Sequence, residues 1–219
     1  MIERQQTISK EVSLEGVGLH TGEISKMTFK PAPLNYGYKF TRIDLEDNPT
    51  VHAVAENVVD VSRGTTIEQN GARVYTVEHV LAAIVAEGID NIIIEVDNVE
   101  VPILDGSSIQ FSKLISEVGI QELNERKKFF EIKRKISFTD SESGTTFTAI
   151  PAENYQIEVE IDYNSTVLGI QTATLGDLSE FKVNFASSRT FCFLHELEEL
   201  LKNDLIKGGD VNNAIVIVE

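Results

Sequence analysis

The sequence predicts an α+β protein of helices packed on sheets, in two units, the second incomplete at its C-terminal end. Three observations lead there. Residues 1–122 run as short alternating stretches and two apolar helices, the pattern of one compact unit. Residues 123–128, Leu-Asn-Glu-Arg-Lys-Lys, are the most polar stretch and mark a boundary, so that the units are 1–126 and 127–219. Alternating strands then resume from Phe129, with only one helix to cover them, and the sequence stops on the apolar run Ala214–Val218. A terminal core-like strand leaves apolar surface without a partner, which suggests a cut chain.

Taken in order, Ile24-Ser25-Lys26-Met27-Thr28-Phe29 alternates as a half-buried strand does, and residues 7–14 do so more loosely. Between them Gly16-Val17-Gly18-Leu19-His20-Thr21-Gly22 places three glycines in seven residues, either a hairpin turn or a loop built for close backbone approach. Pro31 to Asn48 is rich in turn residues. Short strands follow at Val51–Val54 and Asn57–Val61, and Asn70-Gly71 is a strong hairpin signal. An apolar helix over 77–87 ends at Gly88, with Thr76 as its expected N-cap. Asn91–Val96 is a nearly continuous β-branched run, read as a strand buried on both faces. A second helix carries Phe111, Leu114, Ile115 and Val118 at helical spacing and stops at Gly119.

In the second unit, strands are expected over Phe129–Phe138, Thr146–Ile150, Tyr155–Ile161 and Phe181–Phe185. The first two should join through the Ser141–Gly144 turn, and residues 162–176 read as irregular. A helix runs from about 193 to 203, with Leu194, Leu197, Leu200 and Leu201 facing inward, and Gly208-Gly209 closes that region.

Composition narrows the function. The 219 residues are 42 % hydrophobic and 25 % charged, ordinary for a globular protein able to bury a sizeable core. The net charge of −16 argues against a nucleic-acid partner, which calls for a basic face. No stretch reaches the roughly 20 apolar residues of a membrane span. The start, Met1 to Gln6, lacks the apolar core of a signal peptide, so a cytoplasmic location is expected. A single cysteine, Cys192, excludes an internal disulfide and a multi-cysteine zinc site. Any metal site must draw on His20, His52, His79 and His195 and on carboxylates.

Glu78 and His79 open the first helix side by side, about 100° apart around its axis. They cannot chelate one ion as an i, i+4 pair does. They can serve one reacting centre in two ways, the imidazole as metal ligand and the carboxylate as general base. The bland alternative is an acid favoured at a helix N-terminus followed by a half-buried histidine, and the pair alone does not decide between them.

The order of motifs does. Gly16-Val17-Gly18-Leu19-His20-Thr21-Gly22, Thr76-Val77-Glu78-His79, Pro102-Ile103-Leu104-Asp105-Gly106-Ser107, Ser188-Arg189-Thr190-Phe191 and Gly208-Gly209 together resemble the UDP-3-O-acyl-N-acetylglucosamine deacetylases of lipid A biosynthesis in Gram-negative bacteria. The resemblance covers the whole chain. It implies a zinc-dependent hydrolase of two α+β domains facing each other across the site, with inserts near 57–75 and 162–176. The substrate would be UDP-3-O-acyl-N-acetylglucosamine, and the products acetate and a free amine.

Carried over, His79 is a zinc ligand and Glu78 the base that takes a proton from water, whose pKa zinc lowers towards ~7. Thr190 would stabilise the oxyanion. Phe191 would line the sugar and acetate pocket, and Tyr163 would lie near the nucleotide. Val167, Leu168 and Ile170 in the second insert suit an acyl passage. Leu197, Gly209 and Ala214 align with further pocket positions. Asp105 is either a site residue or a turn and helix cap; His20 is either structural or near the nucleotide. His52 has no motif behind it, and Cys192 reads as a packed small hydrophobe.

The chain departs from the family pattern in one respect. A later His-Lys-x-x-Asp helix motif, carrying the other two zinc ligands, and a later histidine acid are absent from these 219 residues. The i, i+4 pair His195 and Glu199 is a poor substitute on a charged helical face. Two accounts follow: the remaining ligands sit on a missing C-terminal segment, present as a separate chain or further sequence, or the chain is a binding or regulatory module that keeps the UDP-sugar and acyl pocket without catalysis. An intact Glu78 favours the first.

Overall fold

The structure is a computed structural model that describes residues 3–219. Met1 and Ile2, part of the N-terminal stretch read above for a signal peptide, lie outside the described residues.

Strand β1 (Arg4–Ile8) is followed by the hairpin of β2 (Val12–Val17) and β3 (Ile24–Pro31). In β3 the alternation places Ser25, Met27 and Phe29 inside, each about 1 % exposed, while Ile24 points out at 65 %. β4 (Tyr38–Arg42) and β5 (Thr50–His52) come next, then a small sheet of β6 (Val58–Asp60), β7 (Thr66–Gln69) and β8 (Ala72–Val74). The expected Asn70-Gly71 hairpin joins β7 to β8, with both turn residues at positive φ. Helix α1 (Glu78–Ala86), strand β9 (Ile92–Val96), helix α2 (Ile109–Val118) and strand β10 (Ile120–Arg126) complete this half.

β9 is the centre of a five-stranded sheet of order β2-β3-β9-β4-β5, antiparallel to β3 and parallel to β4. Its β-branched run is explained by that position. Ile92, Ile94 and Val96 are fully buried, and they join Phe29, Phe40, Val80, Ile84, Phe111 and Ile115 in one core where α1 and α2 pack on the sheet. The polar stretch at 123–128 differs from expectation: through Arg126 it is the strand β10, paired antiparallel with β1. Its solvent-facing side chains hid the pairing.

The second half contains β11 (Ile136–Thr139) and β12 (Thr146–Ala149) as one hairpin, and β13 (Ile157–Asp162) and β14 (Ile170–Leu175) as another. Residues 129–135, expected to begin a strand running to Phe138, are not regular. Conversely 170–175, expected to be irregular, form a strand because β13 offers a six-residue antiparallel partner. Phe181–Phe185 is also corrected: Phe181–Asn184 is a short helix, α3, after a 3-10 turn at Leu178–Glu180 that Asp177 caps through the Ser179 N–H at 2.9 Å. The aromatic spacing suits a helix, since Phe181 and Phe185 lie i, i+4 and stack 6.4 Å apart.

β15 (Phe191–Phe193) leads into helix α4 (Leu194–Lys202), and β16 (Ile215–Ile217) pairs parallel with β15. Of the α4 leucines only Leu200 is buried and Leu197 half-buried; Leu194 and Leu201 are exposed. The helix is therefore covered along one narrow stripe only. Large apolar side chains of the two hairpins, Phe138, Phe147, Ile157 and Val159 among them, are also exposed. Mixed helices and sheets are as the sequence predicts. No described helix is long and apolar enough to cross a membrane.

Candidate active site

The Glu78–His79 pair begins α1, but not through the expected cap. Val77 is the N-cap and makes no side-chain cap bond. Thr76 sits at φ 60°, a left-handed conformation rarely taken by a β-branched residue. Its hydroxyl donates instead to Glu100 Oε1 at 2.8 Å. A fully buried carboxylate is the stronger acceptor, and it draws the hydroxyl away from the helix end.

Two bonds bind the loop before β7 to the start of α1. The Thr65 N–H donates to Glu78 Oε2 at 2.8 Å, and the Val77 N–H donates to the Thr65 carbonyl at 3.2 Å. One Glu78 oxygen is thereby fixed. Gly64 lets the loop lie against the other, since a Cβ there would be 3.3 Å from Oε1. Burial pushes the His79 imidazole below its usual pKa, and the Glu78 and Asp105 carboxylates only partly offset this.

His79 opens onto a cleft of about 480 Å³. One wall is Val61 to Gly64; the other is Tyr163, Ser188 to Phe191, Phe193 and Glu196. The fold therefore brings His79, Thr190, Phe191 and Tyr163 to one cleft from segments far apart in sequence. Tyr163 meets Phe191 edge-on with centroids 5.4 Å apart, and Phe191 meets Phe193 in the same way at 5.8 Å.

Thr190 is held by the 102–107 turn. Its N–H donates to the Gly106 carbonyl at 2.8 Å, and Arg189 Nε donates to the Asp105 carbonyl at 2.7 Å. The Asp105 carboxylate accepts from the Ser107 hydroxyl at 2.8 Å, so the turn-forming reading holds, while its charge also reaches His79.

His20 lies in a neighbouring cavity of about 280 Å³, shared with Arg63, Arg73, Tyr75 and Leu205. Its Nε2–H donates to the Arg63 carbonyl at 3.1 Å. The glycine loop that carries it is both a hairpin turn and a close-approach loop: the Gly208 N–H donates to the Leu19 carbonyl at 3.0 Å, and a Cβ on Gly208 would meet the Gly18 carbonyl oxygen at 2.2 Å. Leu197, Gly209 and Ala214 line neither cavity; Leu197 and Ala214 are half-buried and Gly209 is exposed. Of the acyl-passage residues, Val167 and Ile170 are exposed and Leu168 half-buried. His52 is exposed and Cys192 half-buried.

Sequence reading missed Glu100, Arg63 and Glu196. Arg63 and Glu196, which both line the cleft, form an ion pair at 3.1 Å. Burial acts to raise the Glu196 carboxyl, but the Phe193 N–H and the Arg63 guanidinium hold it below the usual range. Glu100 carried one signal, an acid set directly before the apolar run Val101-Pro102-Ile103.

Among the described residues, no three His, Cys, Asp or Glu side chains are grouped to hold a metal ion. His195 is 67 % exposed, stacks on Phe193 and lies 3.9 Å from a Glu219 carboxylate oxygen. His79 with its neighbours is thus not a complete zinc site.

The α+β scaffold thus brings His79, with the Glu78 carboxylate next to it in sequence, into one cleft with Thr190. Residues 5–219 match the family described as LpxC, UDP-3-O-acyl N-acetylglycosamine deacetylase, and the chain belongs to that family. It is 49 % identical to the bifunctional enzyme LpxC/FabZ of Bacteroides thetaiotaomicron, over 99 % of this chain and 47 % of the relative. It is 44 % identical to that of Chlorobaculum tepidum, over 100 % and 47 %. To the UDP-3-O-acyl-N-acetylglucosamine deacetylase of Saccharophagus degradans it is 42 % identical, over 98 % and 71 %. The chain spans about half the length of the two bifunctional relatives.

Proposed function

We propose that this chain carries the Glu78 half of a deacetylase centre that hydrolyses the acetamide of UDP-3-O-acyl-N-acetylglucosamine, in a cytoplasmic step of lipid A synthesis. The observation that carries the reading is the Glu78–His79 pair, held by Thr65 beside the cleft that Thr190 and Phe191 wall. In this reading residues 1–126 and 127–219 belong to two domains that face each other across the cleft.

Glu78, with one oxygen fixed and the other free of hydrogen bonds from the loop, takes the proton of a water molecule attacking the acetamide carbonyl. The Thr190 hydroxyl donates to the oxygen that becomes negative, and Phe191 and Tyr163 give the sugar an apolar wall. The C–N bond then breaks, giving acetate and an amine that needs a proton from a further acid. His79 is the proposed ligand of a zinc ion, which would polarise the carbonyl and acidify the water. Catalytic zinc sites use about three protein ligands, so the others would come from outside the described residues.

Replacing Glu78 with Ala in the full-length protein should lower acetate release by about 10²–10⁴-fold with zinc content unchanged. Activity within a few-fold of the parent would remove Glu78 as the base.

A further inference from the structure

Glu100 has no exposed surface, and among the described residues no lysine or arginine pairs with it. Its carboxylate is held entirely by donors from two other segments. Oε1 accepts from the His20 N–H at 3.0 Å and the Thr76 hydroxyl at 2.8 Å. Oε2 accepts from the Thr21 N–H at 2.8 Å and the Thr21 hydroxyl at 2.9 Å, and shares the His20 N–H with Oε1 at 3.1 Å. Gly18 has no room for a side chain, because a Cβ would lie 2.6 Å from the same Oε2. A buried acid is costly unless hydrogen-bonded throughout, and here it spans the glycine loop and the residue two places before Glu78.

Thr76 shows what the acid does. A β-branched residue at φ 60° persists only where its surroundings impose that conformation, and the hydroxyl of Thr76 is bonded to Glu100 while its neighbours Tyr75 and Val77 are bonded to Val99 and Thr65. From Thr76 the path is short: the Val77 N–H is fixed on the Thr65 carbonyl, and the Thr65 N–H on the Glu78 carboxylate.

We infer that Glu100 is a positioning residue that sets the entry to α1, and with it the Glu78–His79 pair, while locking the His20 loop against the same point. The inference rests on the deacetylase reading for its kinetic consequence but not for its structural one.

Glu100→Gln tests it without changing shape. With its NH₂ group at the Oε2 position the amide sets a donor against the Thr21 N–H; at the Oε1 position it leaves the His20 N–H only its longer contact, 3.1 Å, to the remaining oxygen, so either orientation weakens the cradle. In the full-length protein, kcat should fall by roughly 10²-fold with KM little changed, since misplacing a catalytic group by about 1 Å has that effect. Amide exchange should quicken at His20, Thr21 and Val77. Thr76→Val, which removes only the link to α1, should lower kcat and quicken exchange at Val77 while leaving Thr21 protected. It also serves should Glu100→Gln not fold.

Loss confined to KM, or unfolding at lower temperature with kcat retained, would overturn the inference. So would unchanged exchange at Val77 in Thr76→Val. A parent enzyme that releases no acetate would count against the deacetylase reading instead, and the exchange pattern would still decide the role of Glu100.

Discussion

The Thr190 N–H donates to the Gly106 carbonyl at 2.8 Å, and a Cβ on Gly106 would lie 1.8 Å from the Asn213 carbonyl oxygen and 3.3 Å from Thr190 Cγ2. The turn after Pro102 is therefore clasped between the Thr190 strand end and the segment leading into β16. Gly106 is at φ 80°, where a side chain is strained even before the clash. Gly106→Ala should destabilise the protein by at least about 1–3 kcal/mol, the usual range for such a backbone strain. It should also displace Thr190 from the cleft. Urea denaturation reads the first effect and acetate release by the full-length enzyme the second; a stable, fully active variant would refute the clasp.

The acidity of His79 gives a pH signature. Burial lowers its folded pKa from the ordinary 6.5, so the unfolded chain binds this proton more readily. The associated stability is complete above about pH 6.5 and is lost as pH falls from there towards the depressed folded value. With metal removed by chelator, stability should decline between pH 7.5 and 5.5 by at most about 1.4 kcal/mol per pH unit for this one proton. His79→Gln should flatten that part of the profile, and an unchanged slope would mean the ring is not buried as described.

Arg63 and Glu196 join two segments that line the cleft, with 44 % and 27 % of their side chains exposed. Exposed pairs of this kind contribute about 0.2–1 kcal/mol. A double-mutant cycle of Arg63→Ala and Glu196→Gln should give a coupling in that range that shrinks in high salt. A coupling several times larger would mean that the pair is shielded from solvent.

Zinc should bind the 219-residue chain poorly, since the described residues offer His79 without two partners. Elemental analysis after dialysis should find well below one zinc per chain. About one zinc per chain, lost in His79→Ala, would show that further ligands are available within it.

Much of the first half was legible in the sequence. The apolar runs at 77–87 and 91–96, the Asn70-Gly71 turn and the glycine stops at Gly88 and Gly119 all reappear, because helix spacing, β-branching and positive φ act within a few residues. The second half was read less well. Phe181 to Phe185 satisfies both an alternating and an i, i+4 pattern, and 170–175 becomes a strand only because β13 lies beside it.

The same division runs through the site. Local chemistry and motif order determined Glu78, His79 and Thr190 as candidates, because each residue type must suit its task wherever it stands. Tertiary structure alone decided that Thr76 serves Glu100 rather than the helix end, that β10 pairs with β1, and that Arg63 meets Glu196 133 positions away. Each depends on which donor or acceptor a distant segment brings within about 3 Å, a distance that local patterns of residues do not encode.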